Sequence, residues 1–138
     1  MKEQKYFAAA YLRLSKDDED IDGSIKSESN SISSQREIIR SFIREQENME
    51  LFDIYVDDGY SGTNFNRPEF RRMMADIEAG DVNCVIVKDL SRFGRDYIEA
   101  GRLIQKTFPA FHVRVFSLTD NLDSLTADYN ETSLTIPI

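Results

Sequence analysis

The chain has 138 residues, with 17 basic and 25 acidic side chains and a net charge of −8 at neutral pH. Its one cysteine and one histidine exclude a disulfide scaffold and a zinc site built from several Cys and His ligands. The length corresponds to one domain, residues 1–138, and no apolar run approaches the ~20 residues of a membrane span, so we expect a soluble intracellular domain with no membrane partner.

Strand and helix patterns alternate along the first half of the chain. Residues 5–14 are almost continuously apolar, which is typical of a buried strand, and the polar residues 15–30 are predicted to form a loop. Residues 31–46 repeat apolar side chains at helical spacing, and Ser31 is suited to be the N-cap. A second strand is predicted over residues 51–56.

The same alternation continues in the second half. Pro68 is suited to the first turn of a helix that runs to residue 79. The pattern then predicts a central strand over residues 82–87, a helix over 97–108 and a strand over 113–118. After Thr119 it predicts no further element.

This order of elements predicts an α/β fold. We expect a parallel sheet of about four to five strands, mixed at most at an edge, with right-handed crossovers and helices on both faces. In an open α/β sheet, ligands bind beyond the carboxyl ends of the strands. The loops after the first three predicted strands would therefore open onto one edge and gather a hydroxyl, carboxylates and several guanidinium groups there.

The charge is distributed unevenly along the chain. Residues 1–66 carry 8 basic and 14 acidic side chains, residues 67–114 carry 9 and 7, and residues 115–138 carry 4 acidic and no basic ones. Counterion release from a nucleic acid requires clustered cations, so the composition argues against a nucleic-acid binder that acts alone. The middle segment is where an anionic partner would be tolerated.

The end of the first predicted strand carries polar groups on one face. Tyr11, Arg13 and Ser15 alternate along the strand and therefore share that face. A buried arginine is costly unless something pairs with it. A structural ion pair with Asp57 or Asp58, or a position exposed at the edge, explains Arg13 without a ligand, and the strand alone favours this explanation.

Two further loops contain arginines that could meet an anion. Arg67 stands at a predicted helix start, where the macrodipole favours an anion, so either a bound phosphate or simple solvation would account for it. In the connection over residues 90–96, Arg92 and Arg95 are spaced by one helical turn. Ion pairs with Asp89 and Asp96 are one explanation, and two guanidinium forks that grip one phosphate are the other.

Taken together, these residues resemble the catalytic domain of the serine recombinases, the resolvase/invertase family. The resemblance spans roughly residues 5–118, and the insertion between Ser15 and Ser31 resembles the large serine recombinases of bacterial transposons. Four motifs occur in the family's order: Tyr11-x-Arg13-x-Ser15, Ser31-x-x-x-Gln35, Asp58-x-x-Ser61-Gly62 with Arg67-Pro68, and Ser91-Arg92-Phe93-Gly94-Arg95-Asp96.

The resemblance implies a site-specific DNA recombinase that integrates or excises a mobile element. In that family Ser15 would attack a DNA phosphodiester, form a 5′-phosphoserine intermediate and allow the strands to be rejoined, without a metal or a nucleotide cofactor. The implied catalytic residues are Ser15, Arg13, Gln35, Asp58, Arg67, Arg92 and Arg95. The implied contacts to DNA phosphate are Tyr11, Ser61, Ser91 and Lys88.

One position departs from the family pattern. The family usually has an aspartate where Ser91 stands, and that carboxylate is a candidate for protonating the leaving 3′-oxygen. Here Ser91, the nearby Asp89, an arginine or water would supply the proton. The sequence identifies no general base.

The resemblance also implies partners and a location. DNA is the expected partner, and homodimers that assemble into a tetramer are expected in the full-length enzyme. The expected location is the bacterial cytoplasm, at the nucleoid during recombination. Because family members continue with a dimerisation helix and a DNA-binding region, we expect this chain to be a catalytic domain without those parts, inactive or poorly active by itself.

Two alternatives remain open from the residues alone. The first is a non-catalytic domain that binds a phosphate or nucleotide in the same arginine pocket. The second is an oligomerisation module whose arginines form only ion pairs.

Overall fold

Strands from separate parts of the chain pair into one sheet in the computed structural model, which describes residues 4–14, 30–57, 67–94 and 97–126. Within these residues the sheet has five strands in the order β2-β1-β3-β4-β5. The strands are β1 (Tyr6–Arg13), β2 (Met49–Asp57), β3 (Cys84–Val87), β4 (Arg114–Ser117) and β5 (Leu122–Asp123). The first four strands are parallel, and only β5 is antiparallel to its neighbour. The predicted α/β sheet, mixed only at an edge, is confirmed.

The helices connect these strands. They are α1 (Ile32–Arg44), α2 (Pro68–Glu78), α3 (Tyr97–Arg102) and α4 (Phe108–Ala110), and a π-helical turn (Leu103–Thr107) joins the last two. A 3-10 turn (Leu90–Arg92) follows β3. No helix in the described part of the chain is long and apolar enough to cross a membrane.

The central strand β1 separates two hydrophobic clusters. One cluster contains Tyr11 with side chains of α2 and α4, including Met73 and Phe108. The other contains Leu12 with side chains of α1, including Ile39. Successive residues of a strand point to opposite faces, so this division confirms that helices cover both faces of the sheet.

The start of α1 also agrees with the sequence. Ser31 is the N-cap, and its side chain accepts a hydrogen bond from the Ser34 N–H at 3.1 Å. This bond satisfies one of the backbone donors that a helix start leaves free.

The short strand β5 lies where the sequence pattern predicts no element. It pairs with β4. Arg114 Nε and Nη2 donate to the two oxygens of the Asp123 carboxylate at 2.9 and 2.6 Å. Two residues are too few to show an alternating pattern, so this strand is recognisable only from its pairing.

Candidate active site

The described part of the chain includes seven of the eleven predicted site residues: Tyr11, Arg13, Gln35, Arg67, Lys88, Ser91 and Arg92. They gather at the carboxyl ends of β1, β2 and β3, as the topology predicts. The other four, Ser15, Asp58, Ser61 and Arg95, lie outside the described residues.

Two arginines interlock at this edge. Arg13 is the last residue of β1, and its Nε and Nη2 donate to the carbonyls of Arg92 and Ser91, both at 2.9 Å. Arg92, at the end of the 3-10 turn, donates from Nη1 to the Arg13 carbonyl. The carbonyl bonds hold both side chains in place, and Arg92 also pairs with the Asp89 carboxylate at 3.1 Å.

A third arginine approaches from the start of α2. Arg67 is only 7% exposed, and its Nη1 donates to the Phe93 carbonyl. Its Nη2 is buried and has no hydrogen-bond partner among the described residues. A buried donor without an acceptor is costly, and an anionic oxygen at this position would satisfy it.

The hydroxyl of Tyr11 is bound inside the domain. Tyr11 is fully buried, with its ring stacked on Phe93 and edge-on to Phe70 at centroid distances of 6.4 and 5.4 Å. Its hydroxyl donates to Asp57 Oδ2 at 2.8 Å. Burial, and then the Asp57 carboxylate, raise the pKa of Tyr11 well above its usual range. The phenol therefore stays protonated and directed at Asp57.

Asp57 is a residue whose main role the sequence did not reveal. From the end of β2 its carboxylate accepts the N–H groups of Glu69 and Phe70, each at 3.0 Å. It therefore caps α2 from 12 positions away in the chain. From the sequence alone, Asp57 is only a possible ion-pair partner of Arg13. The residue at the start of α2 is an arginine, which is not a capping residue, and this indicates that a side chain from elsewhere must cap the helix.

Gln35 holds the end of β1. Its side chain is fully buried on α1, and its amide both accepts from the Arg13 N–H at 3.2 Å and donates to the Arg13 carbonyl at 3.1 Å. The same nitrogen donates to the Asn30 carbonyl at 2.8 Å. The amide thus makes the two backbone hydrogen bonds that a neighbouring strand would make to Arg13, two residues before Ser15.

The loop after β3 is tied down by an acidic side chain. Asp89 accepts hydrogen bonds from the backbone and hydroxyl of Ser91 and from Arg92 Nε. Lys88 lies 3.5 Å from the same carboxylate and donates to Asn30 Oδ1 at 2.7 Å. Burial would raise the pKa of Asp89, but the Arg92 charge, the Ser91 and Arg92 bonds and Lys88 together lower it. Asp89 is therefore ionised at neutral pH.

Not every arginine of the basic middle segment belongs to this site. Arg72 points along α2, where its guanidinium binds Glu69 and Asp53 at 2.7 to 2.9 Å and lies 4.1 Å from the centre of the Tyr55 ring. These two carboxylates neutralise it. Among the described residues, the cations gathered at the sheet edge are Arg13, Arg67, Lys88 and Arg92.

Comparisons with known proteins bear on the family and the fold of the chain. The family model "Resolvase, N terminal domain" matches residues 8–136. The structure is similar to the N-terminal catalytic domain of TP901-1 integrase (26% identity, 94% of this chain and 88% of that chain, TM-score 0.74). It is also similar to a resolvase family site-specific recombinase from Streptococcus pneumoniae (28% identity, 95% and 84%, TM-score 0.72).

A more distant likeness concerns the fold alone. The C-terminal catalytic domain of ISC1926 TnpA, an IS607-like serine recombinase, shares 19% identity, with 80% of this chain and 69% of that chain covered and a TM-score of 0.61. Among curated proteins, the sequence finds no match.

Proposed function

The chain belongs to the resolvase N-terminal domain family, the serine recombinases, and on this premise we propose that Ser15 is the nucleophile with which it cleaves and rejoins DNA. The chain is a site-specific recombinase domain by family membership. The chemistry, its residues and its biological setting are what we propose here.

The proposed cleavage is a balanced phosphoryl transfer. The Ser15 Oγ forms a bond to the phosphorus of a DNA phosphodiester, and the bond from phosphorus to the 3′-oxygen breaks. The proton lost by Oγ is balanced by the proton gained by the 3′-oxygen, which leaves a 5′-phosphoserine and a free 3′-hydroxyl. Rejoining is the reverse reaction with another 3′-hydroxyl, so the number of phosphoester bonds is conserved and no nucleotide is consumed.

The observation that carries the proposal is the open donor of Arg67. Phosphoryl transfer depends mainly on positioning and on neutralising charge at the equatorial oxygens of the phosphoryl group. Arg67 Nη2 is buried without a partner among the described residues. Arg13 and Arg92 are held beside each other at the same edge. A phosphate oxygen beside these three side chains would give Arg67 Nη2 the acceptor that it lacks among the described residues.

The remaining predicted residues take supporting roles in this proposal. Gln35 acts by holding the end of β1, from which Ser15 follows, because its amide is already engaged by the Arg13 backbone. Asp58 and Arg95 are proposed from their motifs, as a partner for an arginine or a proton carrier and as a further phosphate ligand.

In this proposal, Asp89 is not the acid that protonates the leaving 3′-oxygen. Its lowered pKa means that it carries no proton to donate at neutral pH. We propose that Asp89 orients Arg92, to which it is bonded at 3.1 Å, and that Ser91, an arginine or water delivers the proton.

We further propose that the recombination moves a mobile DNA element. The relatives' names include an integrase and a site-specific recombinase, which supports integration or excision as the setting. DNA is then the substrate, the chromosome is the place of action, and two homodimers would assemble into the active tetramer.

Trapping the intermediate tests this proposal. The full-length recombinase is incubated with duplex fragments of the genomic region that encodes it, the reaction is stopped in denaturant, and the DNA that stays attached to protein is measured. We expect an adduct with the natural sequence and with the exposed-site control Ser41→Ala, and none with Ser15→Ala. A Ser15→Ala variant that still forms the adduct, or a folded natural protein that forms none, would overturn the assignment. If the folded natural protein forms no adduct but still binds phosphate, the non-catalytic phosphate-binding alternative is favoured.

A further inference from the structure

We propose that Asp57 is a positioning residue of this site, which sets the location of Arg67 by holding the start of α2 against β1. The inference rests on the proposed function only in that Arg67 is the cation that would meet the DNA phosphate. Asp57 itself contacts no substrate in this proposal. It acts through a closed ring of contacts, in which each member touches the next. The contacts run from Asp57 to the start of α2, then to Arg67, Phe93 and Tyr11, and back to Asp57.

The first part of the ring joins Asp57 to α2. The carboxylate is 5% exposed, and its two oxygens each accept one N–H from the first turn of the helix, those of Glu69 and Phe70. The N-cap residue Arg67 makes no side-chain capping bond within the described structure. Asp57 thus supplies both the hydrogen bonds and the negative charge that a helix start favours.

The second part joins the helix start to Arg67. Arg67 directly precedes Pro68, which begins the helix, and a residue before proline is restricted to extended conformations. Its backbone angles, φ −122° and ψ 82°, are non-helical, as expected for a residue that precedes proline. The base of the Arg67 side chain is therefore located by where the first turn of α2 stands, and Asp57 determines that location.

The third part closes the ring through Tyr11. The Tyr11 hydroxyl donates to Asp57 Oδ2 at 2.8 Å, and its ring stacks on Phe93 with an interplanar angle of 4°. The Phe93 carbonyl in turn accepts from Arg67 Nη1. Tyr11 therefore supports both ends of Arg67, the backbone through Asp57 and the guanidinium through Phe93. This gives Tyr11 a positioning role in place of the phosphate contact that the family resemblance implies.

A second Tyr–Asp pair joins β2 to α2 and lies away from Arg67. The fully buried Tyr55 of β2 donates its hydroxyl to Asp76 Oδ2, late in α2, at 2.6 Å. Tyr55→Phe removes one hydroxyl from a Tyr–Asp hydrogen bond, as Tyr11→Phe does, although the Tyr11 bond joins β1 to β2 and the Tyr55 bond joins β2 to α2. Among the described contacts, only those of the Tyr11 pair lead to Arg67, so Tyr55→Phe controls for the general cost of losing such a bond.

A double-mutant cycle tests the inference. In the full-length recombinase, Asp57→Asn and Tyr11→Phe are made alone and together with Arg67→Ala, and folding is checked by circular dichroism. Two quantities are measured for each variant: the first-order rate of adduct formation on bound DNA and the dissociation constant for inorganic phosphate. We expect each single variant to slow the reaction about tenfold or more and to weaken phosphate binding. In the Arg67→Ala background neither should cause further loss, and Tyr55→Phe should leave both quantities unchanged.

Each outcome supports or overturns the inference. If Asp57→Asn or Tyr11→Phe lowers the rate and the phosphate affinity by the same factor in the Arg67→Ala background as alone, Asp57 has a purely structural role and the inference is overturned. An equal loss of rate and affinity in Tyr55→Phe would lead to the same conclusion. Normal cleavage and phosphate binding by folded Asp57→Asn would do the same while leaving the proposed function intact, and if Asp57→Asn fails to fold, Tyr11→Phe decides. If no adduct forms in any variant but phosphate binding still depends on Asp57 through Arg67, the positioning role stands and the recombinase chemistry falls. If the natural protein neither forms the adduct nor binds phosphate, both proposals fail.

Discussion

At Arg67, stability and ligand binding make opposite demands. The side chain is buried at the sheet edge, yet its Nη2 meets no acceptor in the described structure. A buried donor in this state costs roughly 1–3 kcal/mol. Such a cost is expected where an anion is to be bound, because the ligand supplies the missing acceptor.

Replacing Arg67 should therefore separate activity from stability. We expect Arg67→Met to slow adduct formation at least about 100-fold and to keep the free energy of unfolding within about 1 kcal/mol of the natural protein. Rate measurements together with urea unfolding check this.

A matched arginine on the same helix provides the control. Arg72→Met removes a guanidinium that is paired with Glu69 and Asp53, so we expect lower stability and an unchanged rate. Unfolding of Arg67→Met, or normal cleavage by it, would contradict the role given to Arg67.

Asp89 tests which group protonates the leaving oxygen. Its pKa is lowered although burial opposes this, because of Arg92, Ser91 and Lys88. If Asp89 only orients Arg92, Asp89→Asn should slow cleavage equally for a normal substrate and for one with sulfur in place of the 3′-oxygen, a leaving group that needs no proton. Rescue of Asp89→Asn by the sulfur substrate would show instead that Asp89 is the acid.

At the scale of elements, α1 and β5 are each attached to the sheet by polar contacts, and the α1 attachment lies at the site. Gln35 joins α1 to the end of β1 through the N–H and carbonyl of Arg13. Gln35→Met keeps the length of the side chain but removes the acceptor of the Arg13 N–H, while the Arg13 carbonyl keeps its bond from Arg92 Nη1. We expect stability to fall by about 2 kcal/mol and the Arg13 amide to exchange its hydrogen faster. Unchanged exchange at Arg13 would contradict this attachment.

The attachment of β5 should depend on pH. Burial alone would raise the pKa of Asp123, but the bonds from Arg114 and the charge of Arg114 outweigh it, and the folded pKa lies below the ordinary value of 3.8. The pair therefore stabilises the fold fully above about pH 4, and this contribution is lost as the pH falls through the folded pKa.

Asp123→Asn should show this dependence directly. We expect the variant to be less stable at pH 7 by about 1 kcal/mol and no less stable than the natural protein at pH values below the folded pKa. Urea unfolding across pH 2.5–7 measures the difference, and a difference that does not change with pH would contradict the account.

Across the whole molecule, the features that the sequence could predict are local ones. The apolar run of β1, the helical spacing of α1 and the Ser31 cap each lie within a few consecutive residues. The alternating order of elements then brings the ends of β1, β2 and β3 to one edge, because parallel strands require crossovers of one hand. This was sufficient to expect Arg13, Arg67 and Arg92 together.

Other features depend on contacts between distant residues. The Asp57 cap on α2 and the Gln35 bonds to β1 form only when helices and strands are docked. The Ser31-x-x-x-Gln35 motif marks Gln35, but it does not show which groups the side chain binds. The two-residue strand β5 exists only through its pairing with β4. Ser15, Asp58, Ser61 and Arg95 lie outside the described residues, and the catalytic and DNA-binding roles of all eleven site residues remain predictions.

The most direct test of the account is the identity of the atom that becomes joined to DNA. The trapped adduct is digested with nuclease and protease, and the modified peptide is sequenced by mass spectrometry. We expect one nucleotide, attached through its 5′-phosphate to the Oγ of Ser15. A linkage through a 3′-phosphate, or at any residue other than Ser15, would contradict the central claim.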